Sequence, residues 1–134
     1  MRKDIDIPKA ENVGIAVAEE RIGPDGPEYG VYIINMNDFT LENVLVSSSG
    51  VGEANGQQVK TTQLRHFLND VAPRTSSKIE TIMPEVFCLN NGYFLTYYVG
   101  LTLFEKKYTF LEGTIQKTNY VNVPGLNLPG VLIV

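Results

Sequence analysis

The chain reads as an all-β protein, two packed antiparallel sheets with at most one short helix. Three features of composition carry that expectation. Valine, isoleucine and threonine number 14, 10 and 10 among 134 residues, so about a quarter of the chain is β-branched. Seven tyrosines and six phenylalanines add to this set, while alanine, the best helix former, appears only five times. Branched and aromatic side chains suit a pleated, half-buried surface better than a helix. Twelve glycines and seven prolines are scattered through the chain as turn punctuation.

Residues 1–11 are polar with isolated apolar residues and read as an N-terminal arm; residues 12–134 read as one β-sandwich domain. From Asn12 to Glu19, Val13, Ile15 and Val17 alternate with Gly14, Ala16 and Ala18, which predicts a strand with one closely approached face. Gly23-Pro-Asp-Gly-Pro27 is the strongest turn signal. Glu28–Asn37 and Leu41–Ser48 follow as strands, and their short connection predicts a hairpin between them. Ser47–Asn55 is rich in serine and glycine and reads as a loop, with Asn55-Gly56 a tight turn into a short edge strand, Gly56–Thr62.

Over Gln63–Val71 the residues Leu64, Phe67, Leu68 and Val71 fall at helical spacing, but the segment is only two turns long. It fits a short helix or 3₁₀ turn, and equally an irregular, bulging strand. Ser76–Met83 reads as a strand stopped by Pro84, and Asn90-Asn-Gly92 as a turn. Tyr93–Val99 is the most aromatic strand, turned back at Gly100–Thr102 into Leu103–Phe110. Pro124, Gly125, Pro129 and Gly130 interrupt the remainder, leaving room for a terminal strand at Val131–Val134. Short strands separated by turns at this spacing fit an immunoglobulin-like or fibronectin-like sandwich, with a partly closed barrel as the alternative. Helices are too few for the crossovers of a parallel sheet.

Fifteen acidic and eleven basic residues give a net charge of -4. An acidic chain with no basic stripe argues against nucleic acid, since Lys106-Lys107 and the scattered Lys60, Arg65, Arg74 and Lys78 are thin support for phosphate contacts. One cysteine excludes an intrachain disulfide. No apolar stretch follows the basic residues Arg2 and Lys3, so no secretory signal is read and the expected compartment is the cytoplasm. No segment reaches membrane-spanning length as a helix.

Tyr32-Ile-Ile-Asn35 with Leu41-Glu-Asn-Val-Leu-Val-Ser-Ser48 resembles a hairpin of cytoplasmic immunoglobulin-like modules. Leu64-Arg-His-Phe67, Met83-Pro-Glu-Val-Phe87 and Glu105-Lys-Lys-Tyr-Thr-Phe110 resemble a small family of uncharacterised proteins of Bacteroidota-type bacteria, over residues 12–134. The resemblance implies an immunoglobulin-like sandwich and no established activity. A phenylalanyl-tRNA synthetase subunit label attached to some such proteins is not carried over. The chain lacks the motifs that bind ATP and amino acid and is far shorter than a synthetase core.

His66 is the sole histidine, and imidazole is a general base near neutrality. Asp70 follows four residues later, on the same side if the segment is helical, and Cys88 supplies a nucleophile. The bland alternative is a hydrogen-bonded structural His66 and a small buried Cys88 beside Phe87 and Leu89. One cysteine and one histidine are too few for structural zinc, and Asp25 and Glu28 around Gly26 too few for calcium, so neither metal nor cofactor is expected. Gly50-Val-Gly-Glu-Ala-Asn-Gly56 lacks the lysine of a phosphate loop.

The aromatic strands are the most distinctive feature. Alternation sends Tyr93 and Tyr97 one way and Phe94 and Tyr98 the other, with Phe104, Tyr108 and Phe110 on one face of the next strand. Such rings serve either as core or, at Tyr93, Tyr97, Tyr98, Phe104 and Tyr108, as an interface. The leading functional expectation is a noncatalytic module for protein association, as a homo-oligomer or with a protein partner. The alternatives are a small enzyme or small-molecule binder using His66 near a carboxylate, and a structural component of a larger or phage-like assembly.

Overall fold

A computed structural model describes residues 6–134. The strands, in chain order, are β1 (Val13–Gly23), β2 (Gly26–Asn35), β3 (Leu41–Ala54), β4 (Gln57–Lys60), β5 (Leu64–Val71), β6 (Ser76–Ile82), β7 (Asn90–Val99), β8 (Thr102–Phe110), β9 (Val121–Val123) and β10 (Leu128–Ile133). They form two antiparallel sheets. The first has the order β6-β2-β1-β10-β9; in the second, β3 is flanked by β7 and β8 on one side and by β4 and β5 on the other. Helical structure among the described residues is limited to two 3₁₀ turns, Pro84–Cys88 and Lys117–Asn119. No helix among them is long and apolar enough to cross a membrane.

The alternation in β1 sets the layers. Val13, Ile15 and Val17 face inward with Val31 and Ile33 of β2, against Leu41, Val44 and Val46 of β3 and Tyr93, Leu95 and Tyr97 of β7. The small face is closely approached, as its composition predicts. Ala16 is fully buried with Ile34 and Val123, beneath Leu126 and Leu132. Tyr108 is buried between the sheets, and its hydroxyl donates to the Val13 carbonyl at 2.6 Å. Of the expected arm, residues 1–5 lie outside the described residues; near its end Ala10 is buried, and its N–H donates to the Glu105 carbonyl on the free edge of β8.

The predicted turns at Pro24-Asp25, Asn55-Gly56 and Gly100 all close hairpins. Asn55 and Gly56 have φ of 55° and 75°, the two successive positive values that a type I′ turn requires. Of the two readings of Gln63–Val71, the fold adopts the irregular, bulging strand: β5 pairs with β3 through His66–Val46 and Phe67–Leu45. A register shift near Asn69, whose φ is 62°, changes the alternation, so Leu68 and Val71 both turn inward although three residues apart. A bulge thus reproduces part of a helical spacing.

The strands before and after Asn37 do not pair as a hairpin; β2 and β3 lie in different sheets. Buried amides hold this crossing. The Asn35 side-chain N–H group donates to the carbonyls of Phe39 and Ala72, at 2.9 and 3.1 Å, and that of Asn37 donates to Glu11 at 3.0 Å. The serine- and glycine-rich segment after Ser47 continues β3 as far as Ala54, and Asn90-Asn-Gly92 lies within β7. The chain reverses earlier, at the 3₁₀ turn whose Val86 carbonyl accepts from Asn91 at 2.8 Å.

The β1–β10 pairing requires glycine at position 130. A Cβ there would lie 2.4 Å from the Val17 carbonyl oxygen and 2.9 Å from the Ala18 Cα, both backbone atoms of a central strand. Gly130→Ala therefore destabilises the fold by about 1–3 kcal/mol, measured as a lower urea midpoint. An unchanged midpoint would show that β10 shifts freely on β1.

Candidate functional site

The sheets part at one side of the sandwich, where edge strand β6 faces β5. Pairing of β6 with β2 slips between Val31 and Tyr32, leaving Ile79 as an extra residue. Ile79 joins the core while Glu80, opposite Val31, also reaches across to the second sheet. A bulge redirects side chains in this way, and here it carries a carboxylate into the gap between sheets.

Three groups of the second sheet meet that carboxylate. His66 Nε2 lies 2.9 Å from Glu80 Oε1, and the Ser48 hydroxyl donates to the same oxygen at 3.0 Å. The Tyr93 hydroxyl donates to Oε2 at 2.9 Å. A carboxylate only accepts, so the imidazole donates through Nε2. The side chains of Glu80 and His66 are 15% and 22% exposed, which places the pair at the boundary of the core. Burial first, then the charge and hydrogen bond of Glu80, push the Tyr93 hydroxyl far above the ordinary tyrosine range.

Glu80, Ser48 and Tyr93 line a cleft of about 310 Å³. Its rim is hydroxylic at Thr61 and Thr62 and apolar at Leu64, Ile82 and Met83. His66 stands behind Glu80 and does not line the cleft, so it is a positioning residue.

The outer side of β6 has a second polar group. Lys78 Nζ lies 2.8 Å from Glu20 Oε2, which also accepts from the Tyr32 hydroxyl. Burial alone would raise the Glu20 carboxyl, but the Lys78 ammonium and Tyr32 hydroxyl outweigh it and hold the group below the usual carboxylate range. The Tyr32 hydroxyl is pushed up to about 12, by burial first and then by its bond to Glu20.

The arrangement His66–Asp70–Cys88 does not assemble. On a strand, residues four apart are separated by about 13 Å, and Asp70 instead accepts from the Asn43 N–H at 3.1 Å. Cys88 is exposed rather than buried, its thiol donating to the Glu85 carbonyl at 3.3 Å. Sequence spacing offered no route to Glu80, which lies 14 residues from His66 and in the other sheet.

Of the aromatic candidates, Tyr93, Tyr97 and Tyr108 are 1–2% exposed and belong to the core. Phe104 is half-buried and stacks on Tyr97 at 5.3 Å between ring centroids. Tyr98 is on the outer face and exposed, as is Phe94. Among the described residues, no three histidine, cysteine or carboxylate side chains converge as a metal site. No protein-family model matches the chain, and no curated protein or solved structure matches it significantly.

Removing the acceptor costs more than removing a donor. Glu80→Leu leaves His66, Ser48 and Tyr93 without their partner and lowers unfolding free energy by at least about 1–3 kcal/mol, whereas Tyr93→Phe costs about 0.5–1.5 kcal/mol. Urea denaturation of both variants checks the order, and equal losses would refute it.

Raised tyrosine values stabilise the fold fully below the unfolded tyrosine value, about pH 10, and the contribution falls as pH rises toward the folded values. Unfolding midpoints therefore drop steeply above about pH 10. Tyr93→Phe flattens that drop; a slope identical to wild type would remove Tyr93 from the groups responsible.

Proposed function

We propose that the protein is a small-molecule-binding β-sandwich whose site is the cleft over Glu80. One observation carries this reading: a carboxylate oriented by three donors lines a cavity with a mixed hydroxylic and apolar wall. Two carboxylate oxygens accept about four hydrogen bonds, and three are taken by the protein. The remaining acceptor position is on Oε2, which receives only Tyr93. A small primary amine with a short apolar body complements it, the ammonium against Glu80 and the alkyl part against Leu64, Ile82 and Met83.

Binding without catalysis is the favoured form of this reading. Ser48 directs its proton to Glu80 and not to His66, so it lacks the base that activates a serine nucleophile. The passage of the chain between sheets at β2–β3, β5–β6, β6–β7 and β8–β9 supports an immunoglobulin-like or fibronectin-like architecture for the scaffold.

Thermal unfolding with n-butylamine, putrescine, glycerol and ribose as probes tests the proposal. An amine raises the midpoint of the wild type, because ligand binds the folded state alone, and fails to raise that of Glu80→Gln. No shift with either amine, or equal shifts in both proteins, overturns it.

Association is a second reading, favoured by Phe67 and Tyr98, which stand exposed on the outer face of the second sheet at 59% and 39%. Light scattering across a wide concentration range tests the homo-oligomer: a constant monomer mass overturns it.

A further inference from the structure

The outer face of the second sheet brings together charges that are distant in sequence. Cross-strand pairing sets Arg65 of β5 beside Ser47 of β3, Ser47 beside Phe94 of β7, and Phe94 beside Lys107 of β8. Adjacent strands are about 4.8 Å apart, so one exposed aromatic ring lies between two cations on a single row. Among the described residues neither Arg65 nor Lys107 is engaged in an ion pair. Lys106, by contrast, turns toward the Tyr108 ring on the opposite face.

The neighbouring row is Ser49, Gly92 and Thr109, and between the two rows lies a depression of about 320 Å³. Gly92 makes its floor. A Cβ at this position would meet only the Lys107 Cε at 3.7 Å and the Ser49 carbonyl at 3.9 Å, so the hollow is the space of the missing side chain. Lys107 and the hydroxyls of Ser47, Ser49 and Thr109 border it, and no carboxylate does. Glu105 lies two residues from Lys107 along the same face but outside the depression. The cleft over Glu80 and the cavity beside Glu20 and Lys78, by contrast, each include at least one glutamate.

We propose that this face binds a free mononucleotide, with its phosphate in the Gly92 depression and its base stacked on Phe94. An ammonium and three hydroxyls are hydrogen-bond donors suited to a phosphate, and an exposed ring accepts any base because every base has a flat π-face. Arg65 lies on the same row two strands from Phe94, on the side away from Lys107, and its long planar guanidinium would cover the stacked base as a second flat group. The depression and the Glu80 cleft share Ser49 and Tyr93 in their linings, but Lys107 and Phe94 border only the first and Glu80 only the second.

Titration of isotopically labelled protein with adenosine monophosphate, followed by amide chemical shifts, tests the proposal and reports the fold of every variant. Shifts centred on Gly92, Phe94 and Lys107 are expected. Phe94→Ala weakens adenosine monophosphate about tenfold and leaves inorganic phosphate unchanged, while Lys107→Ala weakens both. Gly92→Val fills the depression with a residue suited to a strand, and abolishes phosphate binding with the fold intact. Three results overturn the proposal: no shifts at millimolar nucleotide, shifts that Gly92→Val and Lys107→Ala leave unaltered, or binding of an oligothymidylate but not of the mononucleotide.

Discussion

A carboxylate between two packed sheets is tolerated only where donors meet it, and this requirement fixes how the open side of the sandwich is built. Glu80 is turned into the gap by the slip of β6 on β2. Once there, it needs β5, β3 and β7 at one register, because His66, Ser48 and Tyr93 come from one strand each. Sliding β6 by one residue would send its side chains to the other face and leave a buried tyrosine hydroxyl without an acceptor. Apolar contacts between Ile79, Val31 and Val46 tolerate small displacements; the three hydrogen bonds to Glu80 do not.

The crossing from β2 to β3 follows the same logic on the other side of the core. Asn35 and Asn37 look in sequence like the polar ends of a hairpin. In the fold their amides are buried and bonded to backbone carbonyls of the chain after β5 and of the segment before β1. A buried amide with several carbonyl partners specifies a unique path for the chain more sharply than an apolar residue of similar size. Polar groups select which strands meet, and the branched and aromatic side chains supply the area that holds them together.

Alternation separated the faces correctly, Val13, Ile15 and Val17 from the small residues of β1 and Tyr93 and Tyr97 from Phe94 and Tyr98, but it left open which face is core; the fold buries Tyr93 and Tyr97 and exposes Phe94 and Tyr98. Turn chemistry located the hairpins at Asn55-Gly56 and Gly100, where the backbone needs positive φ. Bulges leave only an ambiguous mark, because an extra residue changes the phase of a pattern without changing its composition. That is why Gln63–Val71 fits a helix and a bulging strand alike, and why the alternation over Ser76–Met83 gives no sign that Glu80 turns into the gap. The His66 carboxylate partner was illegible for a further reason. Sequence proximity pointed to Asp70, whereas pairing between sheets depends on the whole topology.

Charge shows most clearly how totals and positions differ. The net charge of -4 argues against phosphate ligands only if charges are spread evenly. The fold separates them by face. Glu80 is drawn between the sheets, and Glu20 is paired with Lys78 outside β6. Arg74 is held by Asp38, and Lys106 is turned over an inward tyrosine. Such pairing leaves Arg65 and Lys107 on the outer face of the second sheet, on either side of Phe94. Local potential depends on the charges within about a Debye length, roughly 8 Å at physiological salt. The lining of the Gly92 hollow carries an ammonium and hydroxyls, while the nearby Glu105 stands outside it. An acidic protein thereby presents a local cationic, aromatic patch, and the strand pairing that aligns β5, β3, β7 and β8 is its cause.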